Sequence, residues 1–424
     1  MKRYPAYKDS GIGWLGEIPE GWEVKKLKYA TENLDNIRVP LSAEERGQVE
    51  GSYPYYGATG IIGYVNDYLF DGEYLLIGED GAPFFLENED VAFTAKGKFW
   101  VNNHAHILKT YENSDIRFVM HSLNCVDYKE YITGSTRDKL TQSDLSCIVI
   151  PLPPLPEQQA IASFLDQKTA KIDELIKKNE KLIELLKEKR QAIISHAVTK
   201  GLNPNAKMKD TGVEWIGEIP EGWGINKIKY TSYVKGRIGW HGLQSDEFID
   251  EGPYLVTGTD FINGAVNWDT CYHISEERYI QDPYIQLKEN DLLITKDGTI
   301  GKVALVTKLP DKATLNSGIM LIRPETEDYH TDFMYWILNS KVFSEYIEYT
   351  KTGSTVQHLY QETFENFIFP VPNIFEQKNI CDYITNKTSQ IDKTIKKIES
   401  QIATLKEYRQ TLISNVVTGK VRVA

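Results

Sequence analysis

Cysteine is scarce in this chain of 424 residues: Cys125, Cys147, Cys271 and Cys381 stand far apart and form no Cys-x-x-Cys pair. That offers neither a zinc knuckle nor a disulfide framework and suits a reducing, cytoplasmic setting. No apolar run approaches the length that crosses a bilayer, so no membrane partner is expected. No apolar stretch follows Met1-Lys2-Arg3-Tyr4-Pro5, which argues against a secretory signal.

Catalytic signatures are missing as well. The Asn/Asp-Pro-Pro-aromatic loop that holds a flipped adenine is absent; the one Pro-Pro, Pro153-Pro154, lies in Leu-Pro-Pro-Leu. Gly301-Lys302 runs into Val303, and Lys296 stands where a phosphate-cradling loop needs its first glycine. Glu23-Val24-Lys25 and Glu376-Gln377-Lys378 have no Pro-Asp upstream to make a nuclease site. Gly11-Ile-Gly13-Trp-Leu-Gly16 matches a dinucleotide fingerprint by letter only. Its duplicate carries Glu214 in the middle position, so it reads as a turn. His104-Ala-His106 has strand spacing that points both rings to one face, but no further ligand is apparent, so no metal is assigned.

Positive charge is in deficit. The formal net charge is −12. Residues 30–133 hold 7 basic and 17 acidic side chains, and residues 231–352 hold 11 and 19. Any nucleic acid bound there must meet cations gathered on one face, or partners must supply phosphate attraction.

What the chain does have is itself, twice. Asp9-Ser-Gly-Ile-Gly-Trp14-Leu-Gly-Glu-Ile-Pro19-Glu-Gly-Trp22 returns as Asp210-Thr-Gly-Val-Glu-Trp215-Ile-Gly-Glu-Ile-Pro220-Glu-Gly-Trp223, an offset of 201. A second block recurs at an offset of 219: Gly134-Ser-Thr136 with Gly353-Ser-Thr355, Glu157-Gln158 with Glu376-Gln377, Arg190-Gln191 with Arg409-Gln410. Between the blocks the copies diverge, yet Leu75-Leu-Ile77-Gly-Glu-Asp80-Gly81 still resembles Leu292-Leu-Ile294-Thr-Lys-Asp297-Gly298, and Asn102-Asn103 matches Asn316-Ser317. Two copies of this length are too few and too long for a solenoid.

From Ile161 to His196 apolar residues recur at helical spacing: Leu165, Ile172, Asn179, Leu186 and Ile193 every seven residues, with Leu175, Ile176, Leu182 and Ile183 filling the stripe. Ile384, Ile391, Ile398, Leu405 and Leu412 repeat the pattern. Such a stripe demands another helix. The simplest solution pairs the two antiparallel, as the intervening domain permits. A homodimeric coiled coil is the alternative. A buried Asn179 would help fix register. Each helix, at roughly 35 residues, spans about 50 Å.

Residues 30–133 and 231–352 mix short strand-like runs with Gly, Asn and Asp turns, with short helices expected near Ile116–Leu123 and Phe333–Leu338. The expected class is α+β: two mixed α/β domains (1–156 and 201–375) separated by two long helices (157–200 and 376–424). Candidate DNA contacts are polar and cationic residues of Gly-containing loops. They are Lys96, Lys98 and Asn102; Thr136, Arg137 and Lys139; Lys296, Thr299 and Lys302; and Thr355, Gln357 and His358. Each also has a plain reading as a solvated loop residue.

The ordered blocks resemble the specificity subunits of type I restriction–modification enzymes. The Gly-Glu-Ile-Pro-Glu-Gly-Trp anchor opens each half, and Pro-Leu-Pro-Pro-Leu-Pro-Glu-Gln precedes a long helix ending near Ser195-His-Ala-Val-Thr199. The second copy departs slightly, reading Pro-Val-Pro-Asn-Ile-Phe-Glu-Gln. The resemblance implies a non-catalytic chain in which each variable domain reads one half of a bipartite, asymmetric site on double-stranded DNA. It implies paired helices that set the spacing and dock two methyltransferase subunits, with motor-nuclease subunits joining for restriction. No cofactor is expected in this chain; S-adenosylmethionine, and ATP and Mg for restriction, would belong to those partners. An acidic protein-only scaffold or inhibitor is the competing expectation.

Overall fold

The computed structural model describes residues 2–86, 89–132, 138–237, 243, 245–350 and 358–423. The chain divides into two compact units: Met1–Lys181 with Ile398–Ala424, and Leu182–Lys397. Among the described residues no helix is long and apolar enough to cross a membrane. All four cysteines are free thiols.

The first unit is built on a six-stranded sheet. Its strands are β1 (Thr31–Asn33), β2 (Glu50–Gly57), β3 (Gly60–Val65), β4 (Phe70–Gly78), β5 (Ala92–Val101) and β6 (Ala105–Thr110). They lie in the order β1-β6-β4-β5-β2-β3. Leu75, Leu76 and Ile77 form a continuous apolar run because both faces of β4 are covered. One face packs under the short helix α1 (Ile116–Leu123), which Asp115 caps through the Arg117 and Phe118 amides.

The second unit repeats the plan with β7 (Ser232–Gly236), β8 (Phe261–Ile262), β9 (Ala265–Val266), β10 (Leu292–Thr295), β11 (Val303–Leu305) and β12 (Ile319–Pro324). Their order is β7-β12-β10-β11-β9-β8, which matches the first plan over its first four places. A separate three-stranded sheet of Tyr272–His273, Ile249–Val256 and Ala313–Leu315 is present in this unit.

Two long helices are Leu155–Lys200 (46 residues) and Ile374–Val417 (44 residues); each begins slightly before its expected span, and the second ends at Val417, short of 424. Calling the first α2, the helix Thr331–Leu338 α3 and the last α4, each unit holds half of α2 and half of α4. Pro156 is tolerated in the first turn of α2, where its missing N–H has no intrahelical partner to lose. In the first unit Ile161, Ala162, Leu165 and Ile172 pack on Leu412, Ile413, Val416 and Val417, together with Leu15, Ile18 and Trp22 of the anchor. In the second, Ile194, Ala197 and Val198 share a core with Ile380, Ile384, Ile219 and Trp223. The early part of one helix thus meets the late part of the other, so the pair runs antiparallel within the chain. Arg409 Nε lies 3.0 Å from Asp173, and Arg190 Nε lies 3.0 Å from Asp392, the repeat image of the same contact.

Two expectations for the stripe need correction. Asn179 is half-buried, and Leu175 and Leu182 are 50% and 43% exposed. Two helices cover only a narrow seam, so side chains flanking it stay in water. The Gly11–Gly16 segment is the turn between the strands Tyr7–Asp9 and Glu17–Pro19, as its sequence suggests.

Candidate nucleic-acid interface

In each unit the strand carrying Leu-Leu-Ile ends in an Asp-Gly turn, where Gly81 (φ 70°) and Gly298 (φ 67°) take a left-handed conformation that a side chain would strain. Two other segments meet that turn through the same backbone bonds in both copies. Glu79 N–H donates to the His104 carbonyl (2.8 Å), and Lys296 N–H to the Gly318 carbonyl (2.8 Å). Leu140 N–H donates to Glu79 (2.8 Å), and Leu359 N–H to Lys296 (2.9 Å). Asn102 N–H donates to Tyr56 (3.0 Å) and Asn316 N–H to Val256 (2.9 Å), which bears out the alignment of those two positions. Residues 79–81, 102–104 and 139–140 thus form one three-loop platform, and residues 296–298, 316–318 and 358–359 form its counterpart.

The polar support under the platforms differs. In the first, Asp35, Glu79 and His106 bring one ligand-type atom each within 4.8 Å of one another. The cation among them is Arg38: its guanidinium lies 2.9 Å from Glu79 and 3.3 Å from Asp35, and also donates to the Ala105 carbonyl (2.6 Å). His106 spends both ring nitrogens on protein, Nδ1 on Asp35 and Nε2 on the Leu140 carbonyl (2.8 Å). The group is therefore an ion-pair network that ties the loops together. Burial alone would push the Asp35 carboxyl up, but its bonds to His106, the Ile107 amide and Asn33 hold it below its ordinary value. In the second unit Arg237 is fully buried. It pairs with Asp282 and donates to the Leu315 carbonyl (2.8 Å) and Thr314 Oγ1 (3.3 Å). Burial pulls its guanidinium down against the opposing pull of Asp282.

The residues singled out from sequence fall into three groups. Lys139, Lys296 and His358 lie on the platforms, with Thr299 and Lys302 just beyond the Asp297-Gly298 turn. Lys139 Nζ is 3.1 Å from Glu79. Buried Thr295 shapes that turn, donating to the Thr299 carbonyl and accepting from Lys302 N–H (3.0 Å). Lys96 and Lys98 lie elsewhere, on β5, in register opposite Glu73 and Asp71, and Lys98 sits 4.4 Å above the Tyr68 ring. Asn102 is 5% exposed and its Oδ1 accepts from His104 N–H (2.8 Å), so its side chain is buried and shapes the turn. Thr136, Arg137, Thr355 and Gln357 lie outside the described residues.

His104 was not singled out as a contact. It precedes β6 in the turn and pairs with Asp80 (2.5 Å), whereas His106 lies inside the strand and faces Asp35, so the two rings do not share one face. The arginines of the variable segments are also committed. Arg38 holds Asp35 and Glu79, Arg117 holds Asp115 and Asp166, and Arg237 holds Asp282. Arg278 holds Glu247, Arg323 holds Asp291, and Arg46 lies over the Tyr55 ring.

Residues 19–185 and 242–404 match the family model described as the type I restriction modification DNA specificity domain. A type I restriction enzyme specificity subunit of Haemophilus influenzae is 28% identical over 420 residues, covering 95% of this chain and 98% of its own. Among solved structures, a chain from a study of complex assembly and conformational transition in the type I R-M system aligns with a TM-score of 0.70 at 15% identity. The alignment covers 95% of this chain and 99% of that one. The HsdS subunit of Thermoanaerobacter tengcongensis aligns at 0.50 and 15%, covering 95% and 98%.

Proposed function

The chain belongs to the type I restriction–modification DNA specificity family, a specificity subunit with two recognition domains, and from that premise we propose that each domain reads one half of a bipartite, asymmetric DNA site. The observation that carries this is the pair of three-loop platforms. Their backbone bonding is the same, while the side chains on them differ: Glu79 against Lys296, His104 against Gly318, Lys139 against His358. One scaffold bearing two chemistries suits two unlike half-sites.

In this reading the paired helices set the unread gap and dock two methyltransferase subunits. The exposed Leu175 and Leu182 support docking, since apolar side chains flanking a helical seam favour further helices. Catalysis belongs to the partners: methyl transfer from S-adenosylmethionine to adenine, and, where motor-nuclease subunits join, ATP- and Mg-dependent restriction. The acidic recognition domains, whose arginines are held by internal partners, fit a complex in which those partners supply most phosphate contacts.

The test is a methylation assay of the cognate methyltransferase with and without this chain. Sequence-specific methylation only in its presence is expected. Equal, sequence-independent methylation in both would overturn the proposal. A protein-only scaffold, favoured by the acidity alone, would enrich no sequence from a DNA library in gel shifts of the assembled complex.

A further inference from the structure

The carboxylate of each Asp-Gly turn is met by a histidine, and the two histidines do not occupy equivalent positions. Asp80 is met by His104 of the 102–104 segment, whose counterpart in the second unit is Gly318. Asp297 is met by His358, whose counterpart in the first unit is Lys139. The same carboxylate–imidazole pair is therefore assembled on both platforms from different loops. In both, Nδ1 faces the carboxylate, and among the described residues no protein group partners Nε2. The histidines are partly open to water, at 42% for His104 and 29% for His358; Asp297 is 46% exposed, while Asp80 is largely covered at 15%.

We propose that these pairs are base-reading elements, in which His104 Nε2 with Asp80, and His358 Nε2 with Asp297, accept hydrogen bonds from an exocyclic amino group, adenine N6 or cytosine N4, in the major groove. The inference rests on the DNA-reading function proposed above and assigns it to particular atoms. Three arguments carry it. A neutral ring that donates Nδ1–H to a carboxylate presents Nε2 as an acceptor; at His106, by contrast, Nε2 meets the Leu140 carbonyl and donates. An imidazole acceptor beside a carboxylate makes an acceptor-rich edge, which matches the amino donors of adenine and cytosine and no donor-poor edge. The arginines of both variable segments are held by carboxylates or, for Arg46, lie over a ring, so they are less available as guanine readers. Recognition through acceptors also accounts for DNA-reading domains that are net acidic. Asp80 and Asp297 act chiefly as positioning residues that fix the ring and its tautomer.

The experiment uses the full chain assembled with its methyltransferase. The motif is first read by methylome sequencing, and binding is then measured on duplexes carrying amino-less adenine or cytosine analogues at single positions. For the wild-type complex, one position in each half-site should lose roughly ten-fold in affinity when its amino group is removed. His358→Ala should abolish that penalty in one half-site only, and His104→Ala in the other. His104→Gln and His358→Gln, which keep an acceptor, serve where an alanine variant fails to assemble, and should retain a weakened penalty. Unchanged penalties in assembled variants would overturn this inference and leave the two-domain reading standing. A wild-type complex with no sequence preference would overturn that reading itself.

Discussion

At the first platform Arg38, Asp35 and His106 join Glu79 and Lys139 of the loops in a shared network in which each carboxylate has more than one cationic or hydrogen-bonding partner. Beneath the second, Arg237, with no exposed side-chain surface, pairs with the equally buried Asp282, whose carboxylate also accepts from the Tyr284 hydroxyl (2.9 Å). The loops above are bonded alike. The comparison teaches that a duplicated fold keeps its backbone connections while the polar support beneath them is free to change. Buried polar groups must be satisfied, but the requirement does not specify by whom.

The largest break in the comparison comes from exchange. Replacing residues 30–133 with another recognition domain should change one half of the methylated motif completely and leave the other half untouched. A change in both halves on methylome sequencing would show that the units do not read independently. Next in size is Arg237→Ala. It removes the buried cation that pairs with Asp282, leaving the Tyr284 hydroxyl on that carboxylate (2.9 Å), and should destabilise the second unit by about 3–5 kcal/mol. Arg38→Ala leaves Lys139 and His106 beside the same carboxylates and should cost about 1–3 kcal/mol. Denaturant titration of the two variants measures the contrast, and equal costs would refute the distinction between shared and single support.

A smaller effect tests the likeness of the copies. Buried Gln158 joins α2 to the Asn113 and Pro153 carbonyls and the Asp115 amide, and Gln377 makes the corresponding bonds to Asp328, Pro372 and His330 in the second unit. Alanine at either position should cost about 1–3 kcal/mol, by a similar amount in each unit. A cost confined to one copy would break the equivalence. The smallest effect is in acid. The Asp35 carboxyl is held below its ordinary value in the fold, so its contribution is present above the unfolded pKa and is lost as pH falls through the folded one. Asp35→Asn should flatten the acid limb of the first unit's stability curve and leave that of the second unchanged, as followed by unfolding at pH 2 to 5.

Much of the fold was legible before any coordinates. The repeat offsets placed the anchors, the variable domains and both long helices, because a seven-residue apolar period has few other solutions. The span Ile116–Leu123 matched α1 to the residue, its start marked by Asp115. The site was less legible. Lys96 and Lys98 looked like loop cations, yet they occupy a strand opposite acids. Asn102 looked like a reader of adenine, yet it is buried and its amide oxygen accepts from its own turn. His104 looked like the strand partner of His106, although the turn separates them. These placements share one cause: a polar side chain's surroundings depend on which group lies across the fold from it, and that neighbour is often distant in sequence.

What the sequence by itself determined is the plan: an anchor, a variable α/β domain and a long helix, written twice, since periodicity and repetition are local properties of the chain. Only the tertiary structure decided which charges are free. Sheet register and loop closure bring Arg38 to Glu79, Arg237 to Asp282 and His358 to Asp297 across 41, 45 and 61 residues. Pairings over such separations are set by the packing of the strands between them, so no local pattern announces them.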